Sequence, residues 1–413
     1  MSPIRLLVLG TGGMANTHAM NFATLSDVQL VAAVDVDIAK VRAFAARHDI
    51  PHTFTSLSEA ILWGEFDAVT NVTPDRIHHP TTLALLAAGK HVMCEKPLAE
   101  TYAKADEMAT AAEASGLVNM VNLTYRNVAQ VQKARQMVID GEIGRVRHIE
   151  ASYLQSWLVS KAWGDWATES QWLWRLSTKH GSNGVLGDVG IHILDFAGFG
   201  AATEIGNVFA RLKTFDKAPG NRIGEYDLDA NDSFTMTAEF TNGAMGVIHA
   251  SRWATGHLNE LRLRVHGDKG ALEVVHRVDG SKLRACLKED VETAVWKEIE
   301  VDPVETNYQK FIAAIRGGHM QEPSFRHAAN LQKVLDLAMM TELERRELSV
   351  RSLKPPSLRW GPVPAAPGRG SKLMASVLVG DLHGRLLFDR LQSRIRKGKC
   401  DQSVLGGRRQ GRA

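Results

Sequence analysis

The stretch Leu186–Phe196, LGDVGIHILDF, is apolar enough for a buried helix, yet it carries Asp188, His192 and Asp195 at spacings of four and three. On an α-helix those spacings put an acid, an imidazole and a second acid on one face. Such groups are costly to bury alone, so they either satisfy one another or line a pocket. An imidazole with an ordinary pKa of about 6.5 is suited to take a proton from a hydroxyl. Asp188, one turn earlier, can orient that hydroxyl or the ring. A second stretch, Cys94-Glu95-Lys96-Pro97, places an ammonium at the end of an apolar run, at the strand ends where a doubly wound sheet binds ligands. Read singly, His192 is a satisfied buried histidine and Lys96 a turn residue. Asp and His four apart can also share a cation, but no further His, Cys or Glu set has ligand spacing, and no metal is expected.

A third stretch adds a cofactor. Gly10-Thr11-Gly12-Gly13-Met14-Ala15 follows an apolar run and opens a helical pattern, matching G-x-G-x-x-G/A. Glycines there allow a tight turn and close backbone approach to a pyrophosphate, which the helix N-terminus stabilises. Asp35 follows at the end of the next apolar run, where a carboxylate accepts hydrogen bonds from the adenosine ribose and repels a 2′-phosphate. NAD is therefore favoured, while Lys40 and Arg42 nearby leave NADP open. The alternative is that Asp35 or Asp37 caps the following helix.

These residues need elements to hold them. Residues 1–125 alternate short Val, Ile and Leu runs (IRLLVLG, VQLVAAVD, FDAVTNV, KHVMCEKP, LVNMVNLTY) with helical patterns at 16–25, 38–48, 78–88 and 103–115. That alternation predicts an α/β domain with a doubly wound parallel sheet. Residues 126–350 change character: after a helix over 128–139, strand-like runs are separated by turn signals such as Thr241-Asn242-Gly243 and Asp268-Lys269-Gly270. An antiparallel sheet with helices at 305–316 and 326–347 is expected.

Composition excludes several classes. With 44% hydrophobic and 23% charged residues the chain suits cores, not a fibre. Its three scattered cysteines, Cys94, Cys286 and Cys400, do not form a disulfide framework. The start lacks a secretory leader and no apolar run is long enough to span a membrane, so a cytoplasmic location is expected. The net charge of +3 hides a surplus of +11 in residues 351–413 and a deficit of −8 before them. That basic, Pro- and Gly-containing tail reads as a mobile extension; its stretch 381–399 could instead form an amphipathic helix that touches nucleic acid or an anionic surface.

GTGGMA, VTPDRIHH, EKPLAE and GVLGDVGIHILD, in that order over residues 4–348, resemble the glucose-fructose oxidoreductase / inositol dehydrogenase / MocA family. The resemblance implies a Rossmann domain followed by an α/β domain whose large open, mostly antiparallel sheet mediates oligomer contacts, here a dimer or tetramer. It implies that Lys96, Asp188 and His192 are catalytic, with Asp195 in support. It places Gly10, Gly12, Gly13, Met14, Asp35, Thr73, Pro74, His78, Glu95, Lys96 and Asn122 around NAD, with Tyr125 and Arg126 near the nicotinamide and Tyr125 on the substrate.

The segment YLQSWLVSKAWGDWATESQWLWR holds five of the nine tryptophans, Trp157, Trp163, Trp166, Trp172 and Trp174. Some fill a core; the remainder, interleaved with Gln155, Gln171 and Arg175, suit the C–H faces of a sugar or cyclitol. Gln155, Trp157, Trp174 and Arg175 are thus expected at the substrate, while Arg252, Trp253 and His257 fit a pocket and plain strand packing equally well. YLQSWL resembles a Q-D-W-L stretch of sugar-active members, with Ser156 in place of the acid. The leading expectation is an NAD(P)-dependent dehydrogenase of a secondary hydroxyl of a sugar, cyclitol or related polyol. The alternatives are a glycosidase that oxidises transiently through held NAD, and a dinucleotide sensor without turnover.

Overall fold

The computed structural model describes residues 2–353; the basic tail expected to be mobile lies outside the described residues, apart from its first three positions. The first domain is a six-stranded sheet of β1 (Ile4–Leu9), β2 (Val28–Val34), β3 (His52–Phe54), β4 (Ala68–Asn71), β5 (His91–Cys94) and β6 (Asn119–Val121), in the order β3-β2-β1-β4-β5-β6. Every pair is parallel. The intervening helices are α1 (Gly13–Ala23), α2 (Ile38–Arg47), α3 (Leu57–Trp63), α4 (Asp75–Ala87) and α5 (Tyr102–Ser115). Strands β1 and β4 are almost wholly buried, which is why they read as continuous apolar runs. The strand order reverses between β1 and β4, and in a doubly wound sheet the ligand crevice lies outside the carboxyl ends at such a switch point.

Helix Asn307–Gly317 lies in the stretch assigned by sequence to the second domain, yet it packs with the first. Its Tyr308, Phe311 and Ile312 share a buried cluster with Ile4, Leu6, Val8 and Phe22.

The second domain is built on nine strands. In sheet order they are Lys297–Ile299, Gly280–Leu287, Gly270–Arg277, Asn259–Gly267, Val146–Gln155, Met245–Ser251, Ser233–Phe240, Ile205–Lys213 and Leu348–Ser349. Only Val146–Gln155 with Met245–Ser251 is parallel, so the sheet is open and mostly antiparallel, as expected. Ser233–Phe240 alternates buried and exposed residues along its length, the signature of a sheet with one covered face. Helix Phe325–Glu344 covers that face at Ile205–Lys213, and helix Ile191–Gly200 covers it at Val146–Gln155, Met245–Ser251 and Asn259–Gly267. The close approach of the latter helix needs glycine at 200, where a Cβ would lie 2.3 Å from a methyl of Leu263.

Candidate active site

The dinucleotide crevice is built by backbone. Gly10 has φ +89°, and an added Cβ would stand 2.8 Å from the Val72 carbonyl, so only glycine lets the β1 and β4 loops meet. Gly12 is the N-cap of α1 with no side-chain cap, and neither it nor Gly13 has any atom near an added Cβ. Uncapped amides over open space fit a pyrophosphate. Met14 beside them is 44% exposed. Asp35 accepts from Thr11 N at 2.9 Å, Thr11 Oγ1 at 2.7 Å and Asp37 N at 3.1 Å. Burial would raise its pKa, but these donors outweigh it and hold the carboxyl below its ordinary value. Asp37 is the residue that caps α2, through Ala39 N and Lys40 N. Asp35 is therefore free of the capping role.

Three residues expected around NAD hold the loops instead of facing the crevice. His78 is fully buried, with Nδ1 2.9 Å from the Pro97 carbonyl and Nε2 2.7 Å from the Thr73 carbonyl. It ties the loop after β4 to the loop after β5, and both ring nitrogens are committed. Glu95 is also buried, its Oε1 2.8 Å from His18 Nε2 and 2.8 Å from the Asn122 Nδ2 donor. Asn122, fully buried, donates as well to Tyr308 Oη at 3.1 Å. Burial opposes ionisation of Glu95, yet His18, Lys96 and Asn122 bring its pKa down to about 2. His18, on α1, was not singled out by sequence; it lies four residues past Met14 in a helix read only for its glycines. Thr73 donates its hydroxyl to Asn71 at 2.7 Å, and Pro74 is the N-cap of α4, both in the loop after β4.

Lys96 meets the second domain at Asp188. Its Nζ donates to the Asp188 carbonyl at 3.2 Å and lies 3.6 Å from Oδ1. The same carboxylate receives Arg175 Nη1 at 3.3 Å and Arg252 Nη2 at 3.0 Å. Burial would raise the Asp188 pKa; Lys96, Arg175 and Arg252 together hold it well below the usual carboxylate range. Asp188 sits in a π-helical turn, Leu186–Gly190, directly before helix Ile191–Gly200 that carries His192. Such turns recur at functional sites because they displace a side chain from the α register. His192 is 8% exposed and its Nδ1 is buried with no hydrogen-bond partner among the described residues. Burial, then the Lys96 charge, pushes its pKa down to about 3, so the ring is neutral at neutral pH.

Asp195 corrects the expectation of a single acid–imidazole–acid face. It binds Arg126 Nη2 at 2.7 Å and His327 Nε2 at 2.7 Å, and forms no hydrogen bond to His192. Arg126, expected near the nicotinamide, is thereby buried in the same trio. Tyr125 does reach the site: its ring stands edge-on to His192 at 5.0 Å, and its hydroxyl bonds that of Tyr153.

Gln155 and Trp157 are corrected too. Gln155 donates to Asn259 at 2.9 Å and accepts from Trp157 Nε1 at 3.3 Å, so both ends of its amide are taken by protein. Trp157 is buried with Leu158, Leu173, Leu176 and Leu228, and Trp163, Trp166, Trp172 and Trp253 pack onto them. The tryptophan segment is mostly a small core of its own. Trp174 alone of the five is largely exposed, at 39%, with the Arg175 guanidinium 4.7 Å above its ring. His257 leaves the site altogether. It pairs with Glu260 on the opposite sheet face, beside a concavity of about 290 Å³. Among the described residues no group of His, Cys, Asp or Glu is arranged to hold a metal.

A glycine-cradled dinucleotide crevice facing a neutral histidine and a lysine–aspartate pair defines a nicotinamide-dependent oxidoreductase. Comparison with known proteins agrees. Residues 4–123 match the oxidoreductase family with an NAD-binding Rossmann fold, and residues 131–273 match the GFO/IDH/MocA C-terminal domain. The chain belongs to the Gfo/Idh/MocA family of NAD(P)-dependent oxidoreductases. It is 31% identical over 252 residues to D-glucoside 3-dehydrogenase of Escherichia coli, covering 59% of this chain and 69% of that one. It is 27% identical over 297 residues to levoglucosan dehydrogenase of Pseudarthrobacter phenanthrenivorans, covering 66% and 73%. The structure of an oxidoreductase domain protein from Kribbella flavida superposes with a TM-score of 0.76 at 30% identity, covering 85% of this chain and all of that one.

Proposed function

We propose that this dehydrogenase oxidises one secondary hydroxyl of a sugar, cyclitol or related polyol, with NAD preferred over NADP, and that Lys96, Asp188 and His192 are its catalytic residues. The observation that carries the reading is the neutral His192, with an unpartnered buried Nδ1, beside the Lys96–Asp188 pair. Bound NAD would supply the hydride acceptor. His192 takes the proton leaving the substrate oxygen as the hydride leaves the same carbon. Lys96 stabilises the negative charge that develops on that oxygen. Asp188, kept ionised by its cations, accepts from a substrate hydroxyl and fixes the ring's orientation.

The relatives support the substrate class: their names specify a glucoside, levoglucosan and scyllo-inositol. NAD preference is supported by the carboxylate of Asp35. Among the described residues no helix is long and apolar enough to cross a membrane, and Cys94 and Cys286 are free and buried, which suits the cytoplasm. A dimer or tetramer is supported by the uncovered sheet face, where Met245 is 65% and Val247 39% exposed. The test is reduced-nicotinamide formation over a panel of inositols, aldoses and anhydrosugars, with Lys96→Met and His192→Asn variants. Each variant is expected to lose about a hundredfold or more in kcat and far less in NAD affinity. Two active variants would refute the assignment.

A further inference from the structure

One carboxylate in the site faces more positive charge than it needs. Asp188 is held by Arg252, whose side chain is wholly buried and also donates Nη1 to the Arg175 carbonyl at 3.1 Å, a fixed brace. Lys96 supplies a second cation, one that also faces the carboxyl groups of Glu95 and Asp75. The charge of Arg175 is then surplus. Its side chain is 34% exposed, and among the described residues only its Nη1 makes a side-chain hydrogen bond, the 3.3 Å contact to Asp188. The guanidinium carbon stands 4.7 Å from the Trp174 ring centre, and the Nε and Nη2 donors of Arg175 have no hydrogen-bond partner among the described residues.

Resting on the proposed dehydrogenation, we infer that the substrate bears a carboxylate, as in a uronic or aldonic acid, and that Arg175 binds it. A guanidinium edge offers parallel N–H groups matched to two coplanar oxygens. A phosphate ester fits less well, because its second negative charge would face Asp188 across the same guanidinium. Arg175 thus accounts for substrate charge, while Lys96 and His192 act at the reacting carbon.

The experiment compares glucuronate, galacturonate and gluconate with glucose, galactose and their 6-phosphates, using the full chain with NAD. The acids are expected to show kcat/KM about tenfold or more above the neutral sugars, an advantage that shrinks as salt is raised. Arg175→Gln should collapse that ratio toward one, and Arg175→Lys should keep part of it. Calorimetric titration of glucuronate into the protein with NADH, where no turnover occurs, should show binding that Arg175→Gln loses. Should that variant not fold, the salt dependence and the calorimetry of the natural protein decide. Neutral sugars oxidised as well as the acids, without salt dependence, would overturn the inference and leave the dehydrogenase reading standing. A preference for the phosphates would overturn it as well. No NAD reduction by any compound would remove both.

Discussion

Replacing Asp195 with Asn isolates a charge from its partners. Arg126 reaches Asp195 through Nε at 3.0 Å and Nη2 at 2.7 Å, and His327 shares the same carboxylate. The Arg126 and Asp195 side chains are 6% and 3% exposed, so water cannot replace a lost partner. Removing one member of a buried pair costs about 3–5 kcal/mol, because the remaining charge stays desolvated. Against a total stability of about 5–15 kcal/mol that is a large fraction. The assay is urea unfolding at pH 7, where the midpoint should fall with little change in slope. Acid gives a second check. Burial works against the ionised form, but Arg126 and His327 overcome it and depress the folded-state pKa of Asp195. A depressed carboxylate pKa contributes stability that is full above the unfolded value of about 3.9 and is lost as pH falls from there toward the folded value. The gap between the natural protein and Asp195→Asn should therefore narrow below about pH 4. A loss under about 1 kcal/mol at pH 7, or a gap unchanged by acid, would refute the reasoning.

Other consequences concern the cofactor and the proton. Gly10→Ala forces a side chain into φ +89° against the Val72 carbonyl, a strain of about 1–3 kcal/mol, and should weaken NAD binding measured by fluorescence titration. Asp35→Ser removes the carboxylate that would repel a 2′-phosphate, and the NADP-to-NAD ratio of kcat/KM should rise about tenfold or more. Because His192 is depressed to about 3, first by burial and then by Lys96, it is neutral above that pH. The kcat/KM profile for oxidation should therefore show no loss on its account as pH falls through 6.5, the ordinary histidine value; a break there that His192→Asn abolishes would show that the ring titrates normally.

The first domain was legible because its signals are local. Buried parallel strands read as apolar runs, and the turn after β1 needs glycine for steric reasons confined to a few residues. The three-residue β3 and the seven-residue α3 were not singled out; each is too short for periodicity to register, although Ser56 caps that helix and Gly64 ends it. The site was legible as a set of residue types, not as a set of contacts. Helical spacing joined Asp188, His192 and Asp195, but partners remote in sequence divided them. Lys96, Arg175 and Arg252 take the first acid; Arg126 and His327 take the last. The π turn widens that division by moving Asp188 off the α register. Five tryptophans near the helix that carries His192 also gave two readings from one composition. Packing decides between them: one ring is largely exposed and the others interlock.

Glu95 and Lys96 are neighbours of opposite charge, and their separation is what leaves the lysine available. Glu95 turns inward to His18 and Asn122, so its carboxylate is satisfied by side chains from α1 and the end of β6. Its remaining oxygen accepts from the Lys96 backbone amide at 3.1 Å, which fixes the main chain without engaging the ammonium. Lys96 Nζ then points across to Asp188, a residue of the second domain. The pair that would handle substrate charge thus comes from both domains, and neither has it alone. Helix Asn307–Gly317 strengthens this dependence, since Tyr308 packs under the first domain and accepts from the same Asn122 that holds Glu95. His18, Asn122 and Tyr308 thus hold Glu95, and Glu95 holds the Lys96 backbone, so the proposed role of Lys96 predicts that a change at His18 or Tyr308 lowers kcat more than it lowers stability.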